Sequence, residues 1–203
     1  MEQVAPVILS AGSSTRIGYP KALLPLGKGT FISRILDTLA RVGLLHPRIV
    51  LGRDAVRIRQ GIAPGVRLLI NNDPARGMFS SMKLALSDLG QDCSGCLFWP
   101  VDQPCVKEEV VRDLVRLFDD SEALIALPVY QGKRGHPAIF HRDLFHELLE
   151  AAVETGPKPI VAAHSSEIAA LHCDDRAVVD DVDTPEDYFR LTAEKLEEAL
   201  RRV

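Results

Sequence analysis

Residues 9–27 run L-S-A-G-S-S-T-R-I-G-Y-P-K-A-L-L-P-L-G. The apolar run from Ala5 to Leu9 ends here, and small or hydroxyl residues follow, with Arg16 and Lys21 among them. Such a stretch lets backbone N–H groups come close to an anion, while the two bases add fixed positive charge. The two common phosphate-loop spacings do not fit. A Walker loop needs G-x-x-x-x-G-K-[ST], but five residues separate Gly12 from Gly18 and Lys21 falls too late. The dinucleotide pattern G-x-G-x-x-G is absent as well. Taken alone, the stretch reads equally well as a polar surface turn with two solvated bases.

Outward from this loop, short apolar runs rich in β-branched residues alternate with longer amphipathic ones. Strands are expected at Ala5 to Leu9, Arg48 to Leu51, Arg67 to Ile70, Cys96 to Val101 and Ala123 to Pro128. Helices are expected at Phe31 to Val42, Asp54 to Gly61, Gly77 to Leu89 and Glu108 to Phe118. This rhythm predicts an α/β fold, helices layered on both faces of a mostly parallel sheet. After Pro128 the rhythm breaks. A turn at Gln131 to Gly135 should lead to Pro137–Phe140 as an antiparallel addition. A last helix should begin at Thr184-Pro185-Glu186-Asp187, with Thr184 as cap, and bury Phe189, Ala193, Leu196 and Leu200. Met78, Met82, Ala85 and Leu89 should form another buried helical face. With no repeat or linker, one domain over residues 1–203 is expected.

Composition removes several classes of function. The 203 residues are 46% hydrophobic and 26% charged, with a net charge of -4, which gives no electrostatic case for nucleic acid. No apolar run approaches a membrane span, and Met1 to Val4 lack a basic leader, so a cytoplasmic protein without membrane or nucleic-acid partners is expected. Cys93 and Cys96 form a lone C-S-G-C pair. Cys105 and Cys173 do not complete a zinc set, so reduced structural thiols are the expectation.

Ligands of open parallel sheets bind at the carboxyl ends of the strands. Polar motifs here stand at those ends: S-A-G-S-S-T-R after Leu9, N-N-D-P-A-R-G after Ile70, and D-Q-P after Val101. Asp102, at a strand end between two prolines, is rigidly placed and suited to Mg²⁺. The acids Asp180, Asp181 and Asp183 could supply a second carboxylate or simply a solvated turn. Ser80 and Ser81, in the first turn of a helix, could meet a ribose, base or phosphate. The lone His136 of G-H-P reads as structural when taken alone.

In order, L-S-A-G-S-S-T-R-I-G-Y-P-K-A-L-L, G-M-F-S-S-M, D-Q-P, G-H-P and D-V-D-T-P-E-D-Y resemble the motifs of the molybdenum cofactor nucleotidyltransferases. The likeness is strongest to the MocA-like CTP:molybdopterin cytidylyltransferases and spans Leu9 to Tyr188. It implies a three-layer, Rossmann-like nucleotidyltransferase fold. It also implies Arg16, Lys21 and Asp102 as the catalytic set. The nucleotide is expected against Leu9, Ser10, Ala11, Gly12, Ser13, Ser14, Arg16 and Lys21, with Asn72, Gly77, Ser80, Ser81, Pro100 and Asp102 completing its surroundings. Mg²⁺ is implied as cofactor on Asp102 and Asp183, with Asp181 the alternative second ligand. Because related guanylyltransferases open with L-A-G-G, Ala11 implies CTP over another NTP.

The implied acceptor is molybdopterin, near Gln103, Gly135 and His136, and the product would pass to a molybdoenzyme or its chaperone. The chain departs from the family at Glu154 to Pro159, where a G-D-x-G-A-R-like stretch is usual; Lys158 is the substitute charge offered there. The competing readings are a transferase for another NTP and a sugar or alcohol phosphate, a non-catalytic cofactor-binding protein, and a redox or zinc protein built on C-S-G-C.

Overall fold

The computed structural model describes residues 4–62, 65–89 and 93–201. Each apolar run is a strand: β1 (Ala5–Ser10), β4 (Arg48–Leu51), β5 (Arg67–Ile70), β6 (Gly95–Pro100) and β7 (Ile125–Tyr130). Between β1 and β4, β2 (Pro25–Leu26) and β3 (Gly29–Thr30) form a small antiparallel ribbon of their own. The helices α1 (Phe31–Arg41), α2 (Ala55–Gln60), α3 (Met78–Asp88) and α4 (Glu108–Asp119) lie where the periodicity puts them. The chain then adds β8 (Lys133–Arg134), β9 (Ala138–His141), α5 (Phe145–Glu150), α6 (Lys158–Ala163), β10 (Ile168–His172), α7 (Pro185–Thr192) and α8 (Leu196–Leu200).

The main sheet runs β10-β7-β9-β6-β1-β4-β5, with β8 paired to β7. Pairings of β1 with β4 and β6, β4 with β5, and β7 with β10 are parallel, whereas β9 is antiparallel to both β6 and β7. The antiparallel addition is therefore inside the sheet, not at its edge. Alternate strand residues feed two cores. Ile8, Ile49, Leu51, Leu97 and Trp99 pack with α1 and α4 on one face. Val7, Leu9, Val50, Cys96 and Phe98 pack with α3, α5 and α6 on the other. Burial pushes the Cys96 thiol well above its ordinary pKa, as suits a packing residue.

Four expectations need correcting. The segment 131–135 is not all turn: Gln131 and Gly132, both at positive φ, make a tight hairpin, and Lys133–Arg134 pair back onto β7. The edge strand β10 was not foreseen, since its A-A core carries little β signal. The last helix is two helices. It stops at Thr192, because Ala193 adopts φ 57° and the Thr192 hydroxyl donates to the Tyr188 carbonyl at 2.8 Å. The buried face consequently shifts: Phe189 is 51% exposed and Ala193 exposed, while Tyr188 is buried, stacked on Phe31 and donating to the Pro25 carbonyl. Met78 is also off the core, 44% exposed, whereas Met82 and Ala85 are buried as expected.

Candidate active site

Strand register brings the polar motifs to one rim. Leu9 pairs with Pro100 and Ser10 with Leu51, and the backbone continues the ladder when Val101 N–H donates to Leu9 O and Asn71 N–H to Leu51 O. At Gly52 even a methyl group would lie 2.4 Å from the Ala11 carbonyl, so glycine lets the first loop settle against the end of β4. Ser14 takes a left-handed φ of 52°. Its carbonyl accepts from Gly18 N–H and its hydroxyl from Lys21 N–H, which closes the loop and aims Lys21 inward.

The backbone of Asp102 meets that of Val182, next to Asp183. The Val182 N–H donates to the Asp102 carbonyl at 3.0 Å, and Trp99 Nε1 donates to the Gln103 carbonyl, fixing the D-Q-P turn. Beyond, Thr184 and Asp187 form a reciprocal capping box on α7, and Asp187 also accepts from Asp183 N–H. At the centre, Lys21 Nζ contacts Asp102 Oδ2 at 2.8 Å and Asp183 Oδ1 at 2.5 Å. Arg16 reaches Asp183 Oδ2 at 2.8 Å. Burial works against the Lys21 charge, but the two carboxylates outweigh it and hold the pKa above the usual lysine value. Burial likewise works to raise Asp183, yet Lys21 and Arg16 keep it below the usual carboxylate range.

Above this cluster lies a cleft of about 440 Å³. Of the expected nucleotide contacts, Leu9, Ser10, Ala11, Gly12, Ser13, Ser14, Arg16, Lys21, Gly77, Ser81, Pro100 and Asp102 line it, and so does Asp183. Exposed Met78 is at its wall too. Asn72 and Ser80 do not line it. Asn72 is exposed, and Ser80 faces a neighbouring open cleft of about 490 Å³ together with Asn71, Lys83 and Glu154. Asn71 is the residue that the sequence reading passed over. It is 8% exposed, its amide donates to Ser80 Oγ at 2.8 Å and Ser81 Oγ at 2.9 Å, and its Oδ1 accepts from Asp73 N–H at 3.0 Å. The parity of β5 carries the signal: Leu69 packs into the α3-side core, and Asn71, two residues on, shares that face.

Asp181 and Gln103 take a different place. Asp181 lines a separate cleft of about 160 Å³ and accepts from Gln103 Nε2 at 2.7 Å. Gln103 is buried, and its Oε1 has no hydrogen-bond partner among the described residues. Half-buried His136 stands near Asp181 and Asp102. Burial pulls its pKa down, against the pull of the two aspartates. Gly135 packs so closely on Val178 that a Cβ would lie 2.2 Å from its carbonyl oxygen. Lys158 opens α6 and is exposed, outside all three clefts. Among the described residues no cluster of three or more His, Cys, Asp or Glu side chains could hold a metal. No helix there is long and apolar enough to cross a membrane.

The family model of the MobA-like NTP transferase domain matches residues 6–168. The chain belongs to that family. It is similar to a probable molybdenum cofactor guanylyltransferase of Rhodopirellula baltica, 35% identical over 60% of this chain and 58% of the relative. Other relatives match almost end to end. The nicotine blue oxidoreductase of Paenarthrobacter nicotinovorans is 29% identical over 93% of this chain and 96% of its own length. The molybdenum cofactor cytidylyltransferase of Escherichia coli is 24% identical over 93% and 95%. Among solved structures, Rv0371c of Mycobacterium tuberculosis superposes with a TM-score of 0.84 at 30% identity, over 95% of this chain and 98% of that one. Its manganese complex has a TM-score of 0.80 at 28% identity, over 95% and 99%. As a MobA-like NTP transferase, the chain has its Rossmann-like, mostly parallel α/β sheet and its nucleotidyltransferase ancestry in common with these neighbours.

Proposed function

We propose that this cytoplasmic MobA-like protein moves CMP from CTP onto the phosphate of a molybdopterin-type acceptor, releasing pyrophosphate. The observation that carries the reading is the joining of Lys21 to both Asp102 and Asp183 at the floor of the main cleft. An acceptor phosphate oxygen attacks the α-phosphorus, a new P–O bond forms, and the bond to pyrophosphate breaks. Two anions must approach, so the work is electrostatic. Arg16, Lys21 and the N–H groups of residues 10–14 neutralise charge on the leaving pyrophosphate. The acceptor phosphate is largely ionised at neutral pH, so a strong general base is not required.

Asp102 and Asp183 already share one cation, the Lys21 ammonium, and their hard oxygen donors fit Mg²⁺ or Mn²⁺. Such an ion, when bound, supplies charge neutralisation at phosphoryl oxygens. A relative of 28% identity has been solved with manganese, which supports a divalent ion without choosing between the two. The choice of CTP rests on Ala11 in the first loop and on one nearly full-length relative named as a cytidylyltransferase; the R. baltica relative and two that match nearly end to end are named for guanylyl transfer. Gln103, Gly135 and His136, on the β9 side of Asp102, are the proposed acceptor contacts, with Lys158 reached only if the acceptor extends to α6. The product would then pass to a molybdoenzyme or its chaperone.

The test is incubation with each NTP, Mg²⁺ or Mn²⁺, and molybdopterin, with pyrophosphate and product mass as readouts. The expected product is molybdopterin increased by CMP. A second reading is favoured by the end-to-end match to an oxidoreductase of 29% identity. It predicts no pyrophosphate from any NTP and a redox conversion of nicotine blue instead.

A further inference from the structure

The hydroxyl of Ser81 is left with its proton unspent, and Asn71 leaves it so. The backbone N–H of Asp73 donates to Asn71 Oδ1, which leaves the amide nitrogen, a donor only, turned to the serines. Ser80 accepts one of its hydrogens and passes its own proton to the Gly77 carbonyl at 2.7 Å. Ser81 accepts the other and donates to nothing among the described residues, although it is 3% exposed and lines the main cleft. Its proton is therefore unspent and left to face a ligand there, beside one remaining lone pair. Asn71 lines the neighbouring cleft and not this one, so it acts on the main cleft through Ser81.

The geometry points to Asn71 as a positioning residue that makes Ser81 a hydrogen-bond donor to the base, selecting a ring acceptor such as N3 of cytosine over the N3–H of uracil. This rests on the proposal that a nucleoside triphosphate occupies the main cleft. An Asn71→Asp exchange separates polarity from structure. The carboxylate keeps the shape and can still accept from Asp73 N–H, but it accepts from both serines, so Ser81 would show lone pairs to the cleft.

The experiment is titration calorimetry of CTP and UTP with Mg²⁺ on four proteins: wild type, Asn71→Asp, Ser81→Ala and the double variant. Wild type is expected to prefer CTP. Asn71→Asp should weaken CTP by roughly ten-fold while leaving or improving UTP, so that the CTP:UTP ratio collapses. Ser81→Ala should lower the ratio too, and adding Asn71→Asp to it should change the ratio no further. If wild type binds neither CTP nor UTP, the functional reading fails and takes this inference with it. If wild type prefers CTP but Asn71→Asp, folded by its melting curve, keeps that preference, the inference alone fails. An unfolded Asn71→Asp leaves Ser81→Ala to decide: an unchanged ratio overturns the inference.

Discussion

Two acid–base clusters of this molecule look alike in sequence and differ in stoichiometry. On the edge of the sheet, Asp88 of α3 receives two arginines, Arg48 of β4 at 2.9 Å and Arg67 of β5 through a forked contact. At the rim, the single ammonium of Lys21 serves two carboxylates, and Arg16 reaches one of them with a side chain that is 68% exposed. The first cluster is satisfied by its own chain, every acid oxygen meeting a guanidinium, and its chemistry ends in holding β4, β5 and α3 together. The second gathers acid around one half-buried cation in a wide cleft, and its outer base, paired to Asp183, is mostly exposed to that cleft. The Asp88 cluster closes on itself, whereas the Lys21 cluster opens on the cleft where the proposed substrate would bind.

The comparison breaks if the rim cluster proves to be structural. Lys21→Met and Asp102→Asn are expected to cut pyrophosphate release by on the order of 10²–10³-fold at saturating NTP and metal, by analogy with other preorganised charge-stabilising groups. Asp102→Asn keeps the Lys21–Asp183 pair and should melt close to wild type, whereas Lys21→Met leaves Asp102 facing Asp183 without their shared cation and should melt lower as well. Near wild-type turnover in Asp102→Asn would end its role on a metal.

The smaller effect belongs to the other cluster. Asp88→Ala should leave turnover within two- to three-fold, the order of ordinary context scatter, but lower the melting temperature by about 2–6 °C, because Arg48 is half-buried and loses its partner. If Asp88→Ala lost activity as strongly as Lys21→Met, position in the fold and not openness would be the deciding variable.

The sequence made the rim legible and its details less so. Strand ends carry polar motifs because ladders stop there, which puts Asp102 on the rim of the first loop, whereas Asp183, just ahead of α7 and at no strand end, is legible only through the family resemblance. Local spacing also marked the start of α7, since a cap, a proline and an acid act within one turn. What it missed depended on single dihedrals and on parity. Ala193 in a left-handed conformation, against a cost of about 1–2 kcal/mol, ended a helix whose apolar periodicity ran on. Between the adjacent asparagines, only the register of β5 decides that Asn71 goes in and Asn72 out. No such rule reached the acceptor side, where Lys158 lies away from the clefts and Glu154 pairs with Arg76.

The smallest expected effect uses a third cluster, closed like that of Asp88 but titratable near neutrality. His164 sits between Glu167 at 2.8 Å on Nδ1 and Glu147 of α5 at 2.8 Å on Nε2. Only the protonated ring donates from both nitrogens, and these two hydrogen bonds, first to Glu167 and then to Glu147, raise its pKa above the ordinary histidine value. A raised pKa stabilises the folded state fully below the unfolded value of about 6.5, and that contribution disappears as pH climbs through the folded value. The melting temperature of wild type, compared with His164→Gln, should therefore show an advantage at pH 5.5 to 6 that shrinks toward pH 8.5. The ring is near the surface, so the advantage should fade in high salt as well. An advantage that grew with pH would mean that His164 is held neutral, and that this cluster is not closed by charge at all.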